Sequence, residues 1–189
     1  MNSPDTRQQI VRYARHLIQT RSYLGFSFQD IADKVGLRKP SLYHHFASKQ
    51  ALGVEVLRQT HTAFERWASK TPATPQGKLV AYFDMYRHGL NPGHGMCPAG
   101  AMAPGWDCIE ADLKEAVRAL RTVQVAWLAE VVAALHPKRR AAREALASYI
   151  FATAQGALLA ARMSGQPEDF EAVADIAQRT LLAAGDSAA

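Results

Sequence analysis

Near the N-terminus, four side chains stand close together whose chemistry suits a polyanion: Ser41, Tyr43, His44 and His45. A hydroxyl, a phenol and two imidazoles can each hydrogen-bond to base edges or phosphate oxygens. Arg38 and Lys39 before them and Lys49 after them add positive charge, and Ser27 adds a further hydroxyl. A second kind of chemistry is that of a thiol. Cys97 precedes Pro98, and a proline that starts a helix places the cysteine where backbone N–H groups favour a thiolate. His94 is near enough in sequence to act as its base, but no third orienting residue or phosphate-cradling loop accompanies the pair, so an enzyme is not expected. His88, His94, Cys97, Asp107 and Cys108 are potential zinc ligands, yet their spacing fits no compact ligand motif. No metal or other cofactor is expected.

The elements that would position the first group can be read locally. Ser27 suits an N-cap, and Asp30 three residues on completes a capping box. Phe28, Ile31, Ala32 and Val35 then share one helical face, and Gly36 follows where a helix end tolerates positive φ. Arg38-Lys39-Pro40 starts a second short helix, with proline allowed in its first turn. Leu42 and Phe46 point inward, which leaves Ser41, Tyr43, His44 and His45 outward. Ser48 caps a third helix and puts Lys49 in its first turn. The pattern is a helix-turn-helix whose second helix carries the reading surface. On spacing alone, a small helical hairpin with a solvated polar face fits as well.

Within about its first 55 residues, the chain resembles the DNA-binding domain of TetR-type transcriptional repressors. The resemblance rests on Phe28, Ile31, Ala32, Val35, Gly36, Leu37, Ser41, Leu42, Tyr43, His45, Phe46, Ser48, Lys49 and Leu52. Two positions depart from the family pattern: Arg38 where a Ser or Thr cap is usual, and Gln50 where Glu is usual. The resemblance implies an all-α chain, with an N-terminal three-helix DNA-binding domain over residues 1–50. A long helix would join it to a ligand-binding and dimerisation domain over residues 51–189. It also implies a homodimer on a palindromic operator, released by a small-molecule effector. An architectural DNA-binding protein without an effector is the alternative.

Composition agrees with a nucleic-acid partner. Residues 1–60 hold nine Lys/Arg against four Asp/Glu, whereas the remainder holds thirteen of each, so the whole formal excess of +5 lies with the helix-turn-helix. A basic module of this kind binds polyanions through counterion release. The first twenty residues are polar and carry no secretory signal. The uncharged run 145–161 is short and broken by Ser148, Thr153, Gln155 and Gly156, which reads as a buried helix and not a membrane span. The two cysteines read as reduced thiols, and the protein as cytoplasmic.

Around the motif, Ser3-Pro4 reads as a cap with Pro at N1, followed by an apolar stripe of Ile10, Val11, Ala14, Leu17 and Ile18. The helix from Ser48 is expected to reach about Lys70, where Pro72 and Pro75 stop it. Thr74-Pro75 restarts the chain, and Leu79, Tyr82, Phe83 and Tyr86 line one face. Residues 91–107 are too rich in glycine and proline for a long helix; a short one is expected from Cys97-Pro98 to Pro104. A long helix from about Asp107 carries Ile109, Leu113, Val117, Leu120, Val123, Trp127, Val131 and Leu135, and Pro137 ends it. In the next helix, Ser148, Ala152, Gly156 and Ala160 form a ridge of small residues that admits close helix approach. The last helix opens at Pro167 with a stripe of Phe170, Val173, Ala177 and Leu181, and 186–189 reads as a frayed tail. The helices over 138–164 and 167–184 are the expected dimer interface. Tyr82, Phe83, Tyr86, Met96, Cys97, Met102, Trp106 and Trp127 are candidate effector contacts, pointing to an apolar, aromatic or electrophilic compound. The position of Cys97 is similar to that in electrophile-sensing members of the family.

Overall fold

The computed structural model describes residues 4–183, so the expected cap at Ser3 and the tail over 186–189 lie outside the described residues. All regular structure among the described residues is helical. The helices are α1 (Pro4–Arg21), α2 (Phe28–Val35), α3 (Lys39–Tyr43), α4 (Lys49–Ala68), α5 (Pro75–Arg87), α6 (Ala111–Leu135), α7 (Arg143–Ser164) and α8 (Pro167–Ala183), with short 3₁₀ stretches between some of them. No described helix is long and apolar enough to cross a membrane.

The chain groups into two compact units. The first comprises Met1–Ala63 and Gly93–Arg121, the second Phe64–Pro92 and Thr122–Ala189; α4 and α6 contribute residues to both. In the first unit, α1 buries Ile10, Val11, Ala14, Leu17 and Ile18, and α2 buries Phe28, Ile31 and Ala32. The capping box forms: Ser27 Oγ accepts from the Asp30 N–H at 3.3 Å, while the Ser27 N–H donates to the Asp30 carboxylate at 2.6 Å. Gly36 adopts φ 69°, the left-handed turn that releases the chain from α2. Ser48 Oγ accepts from the Ala51 N–H at 3.0 Å and opens α4.

Residues 93–108 join this unit through pairing that sequence spacing does not announce. The Met96 N–H donates to the Gln19 carbonyl at 3.1 Å, and Gln19 Nε2 donates back to the Met96 carbonyl at 3.1 Å. A Cβ on Gly95 would lie 2.3 Å from that same Gln19 oxygen, so only glycine permits the approach. The short helix expected from Cys97-Pro98 begins instead at Gly100. It is a 3₁₀ stretch, Gly100–Cys108, broken at Gly105. The Met96–Gln19 pairing and the turn closed by the Ala101 N–H on the Cys97 carbonyl, at 2.9 Å, delay its start. Ile109 is extended after it, which moves the start of α6 from the expected Asp107 to Ala111.

In the second unit, Thr74 Oγ1 caps α5 by accepting from the Gly77 N–H at 3.1 Å. Leu79, Tyr82, Phe83 and Tyr86 are buried on its inner face. α7 and α8 pair along their lengths, burying Ala147, Ile150, Ala154, Ala157, Leu158 and Ala161 from one and Phe170, Ala174, Ala177 and Leu181 from the other. Val173 is not part of the inner stripe: at 37% exposure it lies outward with Ile176, because Ala174 takes the position one turn after Phe170. Glu168 and Asp169 occupy the first turn of α8 and complement its positive end.

Candidate functional site

α3 has five residues, and its exposed side presents the expected chemistry. Arg38, Lys39, Tyr43 and His44 are exposed; Ser41 and His45 are half-buried. Leu42 and Phe46 are buried beneath them. Arg38 sits at the N-cap in extended conformation and makes no side-chain cap, so its guanidinium is not spent on the helix end. Tyr43 stacks edge-on against Phe28, with ring centroids 5.2 Å apart, which fixes the phenol relative to α2. The Ser27 hydroxyl is committed to Asp30, donating to its carboxylate at 2.7 Å. These bonds, with the side-chain bond from Ser27 first, hold the Asp30 carboxyl below its usual pKa.

Lys49 is placed differently from the outward cation that the sequence suggests. Its ammonium donates to the Phe26 carbonyl and lies 4.2 Å from the Phe26 ring centroid and 4.6 Å from that of Tyr23. Burial lowers its pKa, and Asp30 opposes the shift. The side chain ties the start of α4 to the turn before α2. Arg7 makes a parallel tie, bonding Glu55 on α4 at 3.2 Å and covering the Phe46 ring at 4.5 Å. Both contacts set the angle at which α3 is offered.

The candidate effector residues fall into two groups. Tyr82, Phe83, Tyr86 and Trp127 belong to the second unit; Met96, Cys97, Met102 and Trp106 belong to the first. In the second unit, Tyr82 stacks on Trp127 with centroids 6.0 Å apart, and Trp67 and Phe64 close around them at 5.3 and 6.0 Å from Trp127. Within this aromatic cluster, Gln124 Oε1 accepts from the hydroxyls of Tyr82 at 3.0 Å and Tyr86 at 3.1 Å. The sequence alone does not single out Gln124. Its only trace is a polar residue one turn after Leu120 on the apolar stripe of α6. Phe64 and Trp67, which complete the cluster, are not singled out by the sequence either.

In the first unit, Met102 is fully buried, and the Lys114 and Arg118 cations lie over the Trp106 ring at 5.8 and 5.6 Å. Cys97 is half-buried and Cys108 exposed. Among the described residues, no three His, Cys, Asp or Glu side chains gather as metal ligands do.

Residues 10–56 match the model of bacterial regulatory proteins of the tetR family, which spans the capped α2, the Gly36 turn and α3. Residues 10–56 thus form a tetR-family segment, and the chain along nearly its whole length is similar to transcriptional regulators of that family. It is 26% identical over 184 residues to the HTH-type transcriptional repressor DhaR of Mycobacterium sp. (strain GP1), covering 93% of this chain and 92% of that protein. A shorter similarity, 26% over 83 residues and 42% of each chain, is to the HTH-type transcriptional repressor NemR of Escherichia coli (strain K12). A TetR transcriptional regulator from Legionella pneumophila superposes with TM-score 0.85 at 26% identity, covering 95% of this chain and 99% of that one. These similarities are those of a DNA-binding transcriptional regulator.

Proposed function

We propose that this protein is an effector-released TetR-family repressor that binds a palindromic operator as a homodimer in the cytoplasm. The observation that carries the DNA-reading part is α3, whose exposed Arg38, Lys39, Tyr43 and His44 stand over buried Leu42 and Phe46. Ser41 and His45 complete the reading surface, and Ser27 contributes by fixing the start of α2.

Dimer formation through α7 and α8 is supported by their outer faces. Tyr149, Leu159 and Met163 on α7 are 47, 48 and 80% exposed, and Ile176 on α8 is 58% exposed. Ala152, Gly156 and Ala160 lie among them, also exposed. Large apolar side chains around a strip of small residues suit a second copy of the same helices, and a twofold protein suits a twofold operator.

An apolar or aromatic effector is supported by the cluster of Tyr82, Tyr86, Trp67 and Trp127 around Gln124, which combines ring faces with a few fixed polar atoms. The test is a mobility-shift titration with duplex carrying a palindromic site, repeated with aromatic compounds and with electrophiles, alongside thermal shift. Release of DNA by one class with a matching thermal shift supports the sensor; silence from every class favours an architectural role. Release by an electrophile in wild type but not in Cys97→Ser makes Cys97 the reacting group. Equal release in both leaves it as packing.

A further inference from the structure

The turn between α6 and α7 gathers positive charge that DNA reading does not use. Its backbone coils through successive turns: the Arg139 N–H donates to the His136 carbonyl at 3.0 Å, and the Ala142 N–H to the Arg139 carbonyl at 3.1 Å. The result is a cleft of about 340 Å³ lined by Ala133, His136, Pro137, Arg139, Arg140 and Arg143. His136 is only 5% exposed, and neither of its ring nitrogens has a hydrogen-bond partner among the described residues. A buried imidazole without a partner is costly, since desolvation is not repaid by a bond.

The charges around it are poorly balanced. Arg143 reaches Glu130 only at 4.0 Å, with the Glu130 side chain 80% exposed. No described carboxylate pairs with Arg139 or Arg140. These cations also stand at the start of α7, the positive end of that helix, and its N-cap Ala142 supplies no side-chain acceptor. Cations at a helix N-terminus are unfavourable and an anion there is favourable. Cavity, buried orphan imidazole and uncompensated guanidinium groups all ask for the same thing.

We propose that this cleft binds a small phosphorylated ligand, held by Arg139, Arg140 and Arg143 above His136. A phosphoryl group offers three outer oxygens to several guanidinium forks at once, whereas one fork already saturates a carboxylate. The volume lies at the small end of ligand sites, so it fits a phosphate with a short organic stub and no nucleic-acid strand. Ligand binding supplies the bond that His136 lacks and a counter-charge for Arg139 and Arg140, since Glu144 is the one carboxylate in the first turn of α7. The site is independent of the aromatic cluster proposed for the effector.

Equilibrium dialysis of the full chain with labelled inorganic phosphate and with glycerol phosphate, at constant ionic strength, tests the assignment. Saturable binding is expected, tighter for glycerol phosphate, competed by sulfate and not by chloride. The double variant Arg139→Gln/Arg143→Gln, both exchanged where folding does not need the charge, should weaken binding by about tenfold or more. His136→Phe should weaken it while Arg139 and Arg143 remain. Non-saturable uptake, or equal affinity in wild type and the double variant, overturns the proposal. Loss of duplex-DNA binding in the double variant with phosphate binding intact would also overturn it, by reassigning the arginines to nucleic acid.

Discussion

Glu55 shows how much one residue can do for the presentation of α3. Its carboxylate accepts from Arg58 through two bonds of 2.8 Å, from Gln59 at 2.8 Å and from Arg7 at 3.2 Å. With the Arg58 bond foremost, its pKa falls from 4.5 to about 2. The folded value lies below the unfolded one, so this stability is fully present above pH 4.5 and is lost as pH falls towards 2. Glu55→Gln should cost roughly 1–3 kcal/mol near neutrality, allowing for solvent around Arg58. It should also flatten melting temperature against pH across the acid range; circular dichroism melts check both. Lys49 gives a contrasting expectation. Because its ammonium serves Phe26 and Tyr23, Lys49→Ala should lower stability by about 1–3 kcal/mol and leave the salt slope of DNA binding intact. Arg38→Ala should do the reverse, flattening the slope by about one unit if it meets a phosphate. Titrations at several salt concentrations separate the two residues.

At the scale of elements, the outer face of α7 makes a clean experiment. A Cβ at Gly156 meets nothing within 4 Å, so the subunit itself has room for a larger side chain. Gly156→Leu should therefore leave the melting of the isolated subunit nearly unchanged while wedging apart a symmetric helix pair. Overpacking of that kind costs on the order of 1–3 kcal/mol and acts twice in a dimer. Sedimentation should show more monomer, with operator binding weakened in parallel; a variant that stays dimeric places the ridge elsewhere. Helix boundaries are legible from sequence where the residues that set them are local. Ser27 with Asp30, Gly36, Ser48 and Thr74 all act within four residues of themselves. Residues 93–108 were not legible, because their backbone is partnered by Gln19, 77 residues away from Met96. Gln124 escaped for the same reason: a lone polar residue on an apolar stripe declares itself only once Tyr82 and Tyr86 are seen to donate to it. Val173 was assigned to the wrong side of α8 because alanine and valine both fit an apolar stripe, and burial chose Ala174.

For the whole molecule, the charge distribution makes the helix-turn-helix a steering device. The formal excess of +5 within residues 1–60 should give association with duplex DNA that slows steeply as salt rises, measurable by stopped-flow. The pairing of Gln19 with Met96 carries a different consequence, for descent. The reading unit draws on two separated stretches of the chain, and the second is seated through Gly95 against α1. A recombination that joined residues 1–50 to a foreign remainder would strand both hydrogen bonds of Gln19, unless the incoming segment also carried a glycine at the point of closest approach. Exchange of operator specificity between such regulators by a single crossover should accordingly be rarer than the linear order of the gene implies. Where it succeeds, the matching loop should be found to have travelled with the head.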